Sequence, residues 1–205
     1  MEPNVFEEMA KRYDTEERKE LANIVAEEVR KELQDSASKT LIDYGSGTGL
    51  VSLELTDKVK SVLLIDSSKQ MVEVAKAKIT QRGIGNANVL YSDFTQGTPE
   101  LKSDIVLMSL VLLHIPNTQQ ILQELYNILN EGGKLIIVDF DKNEKISHPK
   151  VHNGFDHEEL KERLSEAGFT STEIRTFYHG EGIFMKKDAS MFIASSIKGE
   201  NANRC

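Results

Sequence analysis

The sequence predicts an α/β fold, a doubly wound and mostly parallel sheet with helices on both faces, and three observations carry that prediction. From Thr40 onward, short apolar runs alternate with amphipathic segments. A glycine-rich turn closes the first run at residues 45–49. Two β-rich runs joined by a glycine-bearing link come last, as an antiparallel pair at one sheet edge would.

The elements follow in order. Residues 5–34 are charged, but Phe6, Met9 and Tyr13, then Leu21, Ile24, Val25, Val29 and Leu33, recur at helical spacing, so an apolar stripe must lie on something else. Residues 34–38, Gln-Asp-Ser-Ala-Ser, read as a polar linker. The expected organisation is a helical lid over 1–38, a main domain over 39–198 and a flexible tail over 199–205. Five runs, at 40–44, 61–66, 88–91, 104–109 and 134–139, are aliphatic without alternation, which predicts strands buried on both faces. Helical patterns lie between them at 50–56, 68–82 and 117–130, the last stopped by Gly132-Gly133. Such repetition implies right-handed crossovers and parallel strands. Asp156 caps a further helix running to Gly168, with Glu159 completing a capping box. The last two strands, 172–178 and 189–197, are expected to join through His179-Gly180-Glu181-Gly182.

Composition narrows the function. The chain has 205 residues, one cysteine and a formal net charge of -8, with neither a basic, apolar N-terminal leader nor an apolar run of the roughly 18 residues a spanning helix needs. A cytoplasmic enzyme is expected, with no membrane and no nucleic acid as partner, since the acidic balance repels polyanions. A small-molecule substrate is favoured, and a homodimer is admissible. Cys205, alone in a polar tail, can make no intrachain disulfide.

The chemistry concentrates in Leu41-Ile42-Asp43-Tyr44-Gly45-Ser46-Gly47-Thr48-Gly49, which ends the first strand and opens the first helix. A dinucleotide loop would place its third glycine at position 50, but that residue is Leu50 and the glycine comes early, at Gly49. Asp43 before the turn would repel a pyrophosphate and attract an ammonium, directly or through water. Asp66, 17 residues past Gly49, ends the second strand where an acid grips ribose hydroxyls. Asp93-Phe94 follows the third, a carboxylate for an adenine amine beside a ring for the base.

This set resembles the class I S-adenosylmethionine-dependent methyltransferases, whose first motif is an apolar pair, an acid and alternating glycines. The resemblance covers residues 1–197. It implies a seven-stranded sheet of order 3-2-1-4-5-7-6 with strand 7 antiparallel, and S-adenosyl-L-methionine as cofactor. It also implies roles: Gly45, Ser46, Gly47 and Thr48 along the methionine part, Asp66 on the ribose, Ser67 and Met71 beside the adenosine, Asp93 and Phe94 on the adenine, and Ser109 near the sulfonium. The segment from Phe6 to Asp14 is similar to the lid of small-molecule members, in which Tyr13 would cover the cofactor, though the same stripe also fits plain packing.

Methyl transfer needs alignment more than acid–base chemistry. His114, after the fourth strand, is the candidate base, and its neighbours Leu113 and Ile115 equally suit a structural histidine. His148, His152 and His157 have no metal-ligand spacing, so no metal is expected and the 140–155 loop reads as a border of the acceptor pocket. The rival readings are a nicotinamide-dependent dehydrogenase, disfavoured by Leu50 and Asp43, and a non-catalytic adenosylmethionine-binding regulator.

Overall fold

A computed structural model describes residues 12–94 and 97–199. Phe6, Met9 and Cys205, and the expectations attached to them, lie outside the described residues. Seven strands, counted along the chain, lie in the sheet order 3-2-1-4-5-7-6 with the seventh antiparallel, as the resemblance implied. The chain forms two compact units that part after Pro99.

Unit one holds α1 (Glu16–Glu32), β1 (Thr40–Tyr44), β2 (Ser61–Asp66), α2 (Lys69–Arg82) and β3 (Ala87–Tyr91). Thr15 caps α1 by accepting the Arg18 amide, and the helix buries Val25, Ala26 and Val29 on one stripe, with Leu33 just beyond it. The three strands pair in parallel, Asp43 opposite Leu64 and Asp66 opposite Tyr91. β1 and β2 are largely buried, whereas β3 is half open and Tyr91 is 50% exposed, so burial on both faces does not extend to this edge strand. The helix expected at 50–56 is only a 3-10 turn, Ser52–Glu54. A segment this short cannot repay helix nucleation, and other elements hold its carbonyls: Arg30 donates to Glu54 O and Asn86 to Thr56 O. Ser68 caps α2 through the Met71 amide, and Gly83 ends it in the left-handed region.

Unit two holds β4 (Ser103–Ser109), α3 (Thr118–Ile128), β5 (Leu129–Phe140), α4 (His157–Glu166), β6 (Phe169–Phe184) and β7 (Lys187–Lys198). Helix α3 ends before the expected Gly132-Gly133 stop, and both glycines belong to β5. Two causes are visible. The buried Lys198 ammonium donates to Tyr126 O and Leu129 O, which closes the helix early. Gly133 serves close approach instead, since a Cβ there would stand 2.8 Å from Asn130 O and 3.0 Å from Asp104 O. Asp156 does cap α4, accepting the Glu158 and Glu159 amides. The β6–β7 connection is a second correction. His179-Gly180-Glu181-Gly182 lies inside an irregular β6, and the hairpin turns at Met185-Lys186, with φ of 51° and 61° between paired Phe184 and Lys187. Two consecutive positive φ values are what a tight right-twisted hairpin demands, here met without glycine. No helix among the described residues is long and apolar enough to cross a membrane.

Candidate functional site

The glycine loop is fixed by its own backbone. Gly45 and Ser46 donate to Ile65 O at 2.8 and 3.0 Å, and Gly49 donates to Ser46 O at 2.9 Å. Gly47 donates to Asp66 Oδ2 at 2.8 Å, while Asp66 Oδ1 accepts the Ser68 amide at 2.8 Å. Asp66 therefore faces the loop and binds it to the first turn of α2. A carboxylate offers about four acceptor positions, so two amide bonds do not preclude hydroxyl ligands.

The glycines divide by environment. Gly47, at φ +55°, has, among the described residues, only the Tyr13 ring near its missing Cβ, at 3.8 Å. Gly49, at φ +77°, faces Leu64 Cδ2 at 2.8 Å and Leu53 Cγ at 3.0 Å, so it serves packing.

Asp43 is 1% exposed, and burial pushes its carboxyl up to about 7, with the Asp66 charge adding and Ser52 opposing. Ser52 is near enough to oppose that shift, although among the described residues neither its hydroxyl nor Asp43 Oδ1 meets a partner in full hydrogen-bond geometry. A buried acceptor with no partner costs roughly 1–3 kcal/mol, which makes it a place for an ordered water or a ligand cation.

Tyr13 lies against this loop. Arg18 donates to its carbonyl at 3.1 Å and stacks its guanidinium 4.2 Å from the ring centroid. Burial raises the Tyr13 hydroxyl, Arg18 partly opposing and Asp66 adding, so it stays a neutral phenol.

The remaining predicted residues separate by access. Ser46 and Asp93 are half-buried and Ser67 is exposed. Thr48 is fully buried, its hydroxyl donating to Asp14 Oδ1 at 2.6 Å. Met71 and Phe94 are each 1% exposed, and Phe94 packs on Tyr44 with ring centroids 4.5 Å apart. Met71 and Phe94 thus pack in the core beside the loop.

In unit two, Ser109 ends β4 half-buried, and the chain turns at Leu110, φ 56°, into a 3-10 turn, Leu112–His114. His114 is exposed on this turn, and partial desolvation, then His148, holds its imidazole below the usual histidine value. It is therefore mostly neutral, as a proton acceptor must be.

Sequence reasoning missed Asp139. Its carboxylate is wholly buried at the end of β5 and accepts the Leu113 amide at 3.1 Å and the Phe140 amide at 2.8 Å, which anchors the turn carrying His114. Burial pushes this carboxyl up to about 7 against those amide bonds. The available signal was a lone acid inside the apolar run Leu135 to Phe140, a residue that must be paired if buried.

The His152 amide donates to Leu113 O and its Nε2 bonds Ile115 O, both at 2.9 Å. Leu113, Pro116, Pro149, Lys150, Val151 and His152 line a solvent-open pocket of about 230 Å³. His148 Nδ1 accepts the Lys150 amide, and His157 Nε2 pairs with Asp141 at 2.7 Å. His148, His152 and His157 thus go to separate partners, and among the described residues no three His, Cys, Asp or Glu side chains gather as a metal site.

The sequence profile of the methyltransferase domain family matches residues 35–190. A ubiquinone/menaquinone biosynthesis C-methyltransferase, UbiE, of Hydrogenovibrio crunogenus is 28% identical over 121 residues, 57% of this chain and 46% of that protein. A tRNA 5-carboxymethoxyuridine methyltransferase of Escherichia coli is 25% identical over 120 residues, 57% of this chain and 46% of that protein. The chain thus matches about half the length of these curated relatives. Its fold is shared with a SAM-dependent methyltransferase from Aquifex aeolicus, TM-score 0.70 and 24% identity over 93% of this chain and 97% of that one.

Proposed function

From the chain's membership of the methyltransferase domain family, we propose that it transfers a methyl group from S-adenosyl-L-methionine to a small-molecule acceptor. One observation carries the reading: the glycine loop turns its amides inward. Gly45, Ser46, Gly47 and Gly49 all donate to protein acceptors, two carbonyls and the Asp66 carboxylate among them. A pyrophosphate site works by offering loop amides to the anion, so a nicotinamide dinucleotide would find few donors here and the buried Asp43 acid behind them. A cationic nucleoside without phosphate fits the same loop.

The residues support that fit. Asp43 Oδ1, buried and without a hydrogen-bond partner among the described residues, suits the amine end of the ligand through an ordered water, since the carboxyl is too deep for direct contact. Asp66 serves the ribose from the position its two amide bonds fix, with Ser67 and Asp93 toward the adenosine and Gly45, Ser46 and Gly47 along the amino-acid part. Tyr13 screens the loop from water. When bound, the cofactor supplies a methyl on a sulfonium, so the protein's task is alignment and exclusion of water.

Ser109 and His114 are the acceptor-side candidates in unit two, His114 as a neutral base for an acceptor that must lose a proton. A pocket of about 230 Å³ with apolar walls and Lys150 suits a small or slender acceptor better than a folded RNA. The net charge of -8 points the same way, although the E. coli relative is named for a tRNA substrate.

The test is calorimetric titration with S-adenosylhomocysteine and with NAD, followed by transfer of labelled methyl to an acceptor panel. Binding of the first alone, with turnover, is expected. Binding of NAD alone would refute the reading. Binding without turnover on any acceptor would make the chain a regulator.

A further inference from the structure

Resting on the cofactor reading above, we propose that Asp14, Thr48 and Lys78 form a latch that holds Tyr13 on the glycine loop, making Asp14 and Lys78 positioning residues for cofactor retention. Lys78 projects from α2 three residues past the buried Ala75, on the face that also buries Met71. Its side chain is only 18% exposed, and its ammonium finds three acceptors: Thr48 O at 2.9 Å, Thr48 Oγ1 at 3.0 Å and Asp14 Oδ2 at 2.5 Å. An ammonium carries three N–H donors, so this set saturates it.

The Thr48 hydroxyl closes the ring. It accepts from Lys78 and donates to Asp14 Oδ1 at 2.6 Å, so acid, alcohol and ammonium bond pairwise. Each member comes from a different part of unit one: Asp14 from the segment before α1, Thr48 from the glycine loop and Lys78 from α2. Asp14 is the residue after Tyr13 and Thr48 the residue after Gly47, so the latch lies one peptide from the 3.8 Å approach of the Tyr13 ring to Gly47.

The same segment is held from its other side. Thr15 N–H and Arg18 Nη1 both donate to Tyr13 O, at 2.9 and 3.1 Å, and the Arg18 guanidinium covers the ring. Tyr13 is thereby fixed in backbone and ring. Lifting it from the loop requires parting Asp14 from both its partners, or carrying Thr48 and the loop along. A surface ion pair would contribute little to such an event. This one is largely sequestered and shared with a hydroxyl, so its loss leaves buried polar groups unpaired.

The test combines S-adenosylhomocysteine titration of the full chain with hydrogen exchange of the peptide spanning residues 12–20 in ligand-free protein. Lys78→Met should raise the dissociation constant about five- to tenfold and speed exchange in that peptide, with Lys78→Arg recovering most of both. In a Tyr13→Ala background, Lys78→Met should add little further loss, because the latch acts through the ring. Equal loss with and without the Tyr13 ring, or exchange unchanged at 12–20, would overturn the proposal. If the unmodified chain binds no S-adenosylhomocysteine, the methyltransferase reading fails and retention with it, while the exchange result still decides whether Lys78 holds Tyr13.

Discussion

Two alanines, placed two residues apart, should separate ligand space from packing in the glycine loop. Gly47 and Gly49 have positive φ, +55° and +77°, so each alanine pays the left-handed strain of roughly 1–2 kcal/mol. At Gly47 that is nearly the whole structural cost, because among the described residues the new methyl meets only Tyr13 Cε1 at 3.8 Å, an ordinary contact. At Gly49 the methyl would stand 2.8 Å from Leu64 Cδ2 and 3.0 Å from Leu53 Cγ, both on buried side chains. Overpacking of this kind adds about 1–3 kcal/mol, so Gly49→Ala should lose roughly 2–5 kcal/mol in total. For a chain of this size each kcal/mol moves Tm by about 2–4 °C, which predicts a fall of roughly 4–20 °C for Gly49→Ala and about 2–8 °C for Gly47→Ala. Affinity should rank the other way. On the proposed cofactor placement, Gly47→Ala puts a methyl on the ligand side of the loop beside Tyr13 and should weaken S-adenosylhomocysteine tenfold or more, roughly 1.4 kcal/mol, whereas Gly49→Ala, titrated below its melting range, should stay within about threefold. Urea or thermal unfolding reads the first ranking and calorimetry the second. A Gly49→Ala protein no less stable than Gly47→Ala, or one that binds more weakly, would refute the division.

Two more outcomes follow from the buried acids. The Asp43 and Asp139 carboxyls titrate at about 7 in the folded chain and near 4 when unfolded, so the folded state holds their protons more tightly, and ligand-free stability should fall as pH rises from about 4 to 7. Asp43→Asn should flatten part of that decline while weakening S-adenosylhomocysteine above pH 7, where the ionised acid would attract the amine; an unchanged melting profile from pH 5 to 8 would contradict it. Asp139→Asn should cost roughly 1–3 kcal/mol in urea unfolding, because one of the Leu113 and Phe140 amides would then face an NH₂ in place of an acceptor, and a loss under about 0.5 kcal/mol would show that the turn carrying His114 is held by something else.

What was legible in the sequence was whatever depended on neighbours along the chain. The apolar runs at 40–44 and 61–66 are β1 and β2 to the residue, because a buried parallel strand has few ways to be written. The cap at Asp156 is a local hydrogen-bond pattern and was equally visible. The misreadings share a cause. Gly132-Gly133 and Gly180-Glu181-Gly182 look like stops and turns, but their roles depend on Asp104, Lys198 and β7, which are far away in sequence. β6 extends over 16 residues because β7 pairs with it, while its own pattern is too exposed and polar to announce a long strand. Met185-Lys186 hides a tight turn in residues that give no sign of one.

The site follows the same rule one level up. Sequence placed acids at or just past the ends of β1, β2 and β3, and the structure adds a fourth, Asp139, at the end of β5, yet what each acid does is decided by how it is solvated. Asp66 accepts two amides and keeps the loop in shape. Asp139 accepts two amides and keeps a turn in shape. Asp43 is as deeply buried as Asp139, but among the described residues its Oδ1 has no well-formed hydrogen bond, although an asparagine or a valine in that place would spare the fold a buried charge. A fold selected for stability alone would have no reason to keep that acid. Its position under the loop is economical only if something cationic, or a water carrying its influence, completes the bond, and that is why the behaviour of Asp43→Asn weighs more on the cofactor assignment than any substitution of a glycine.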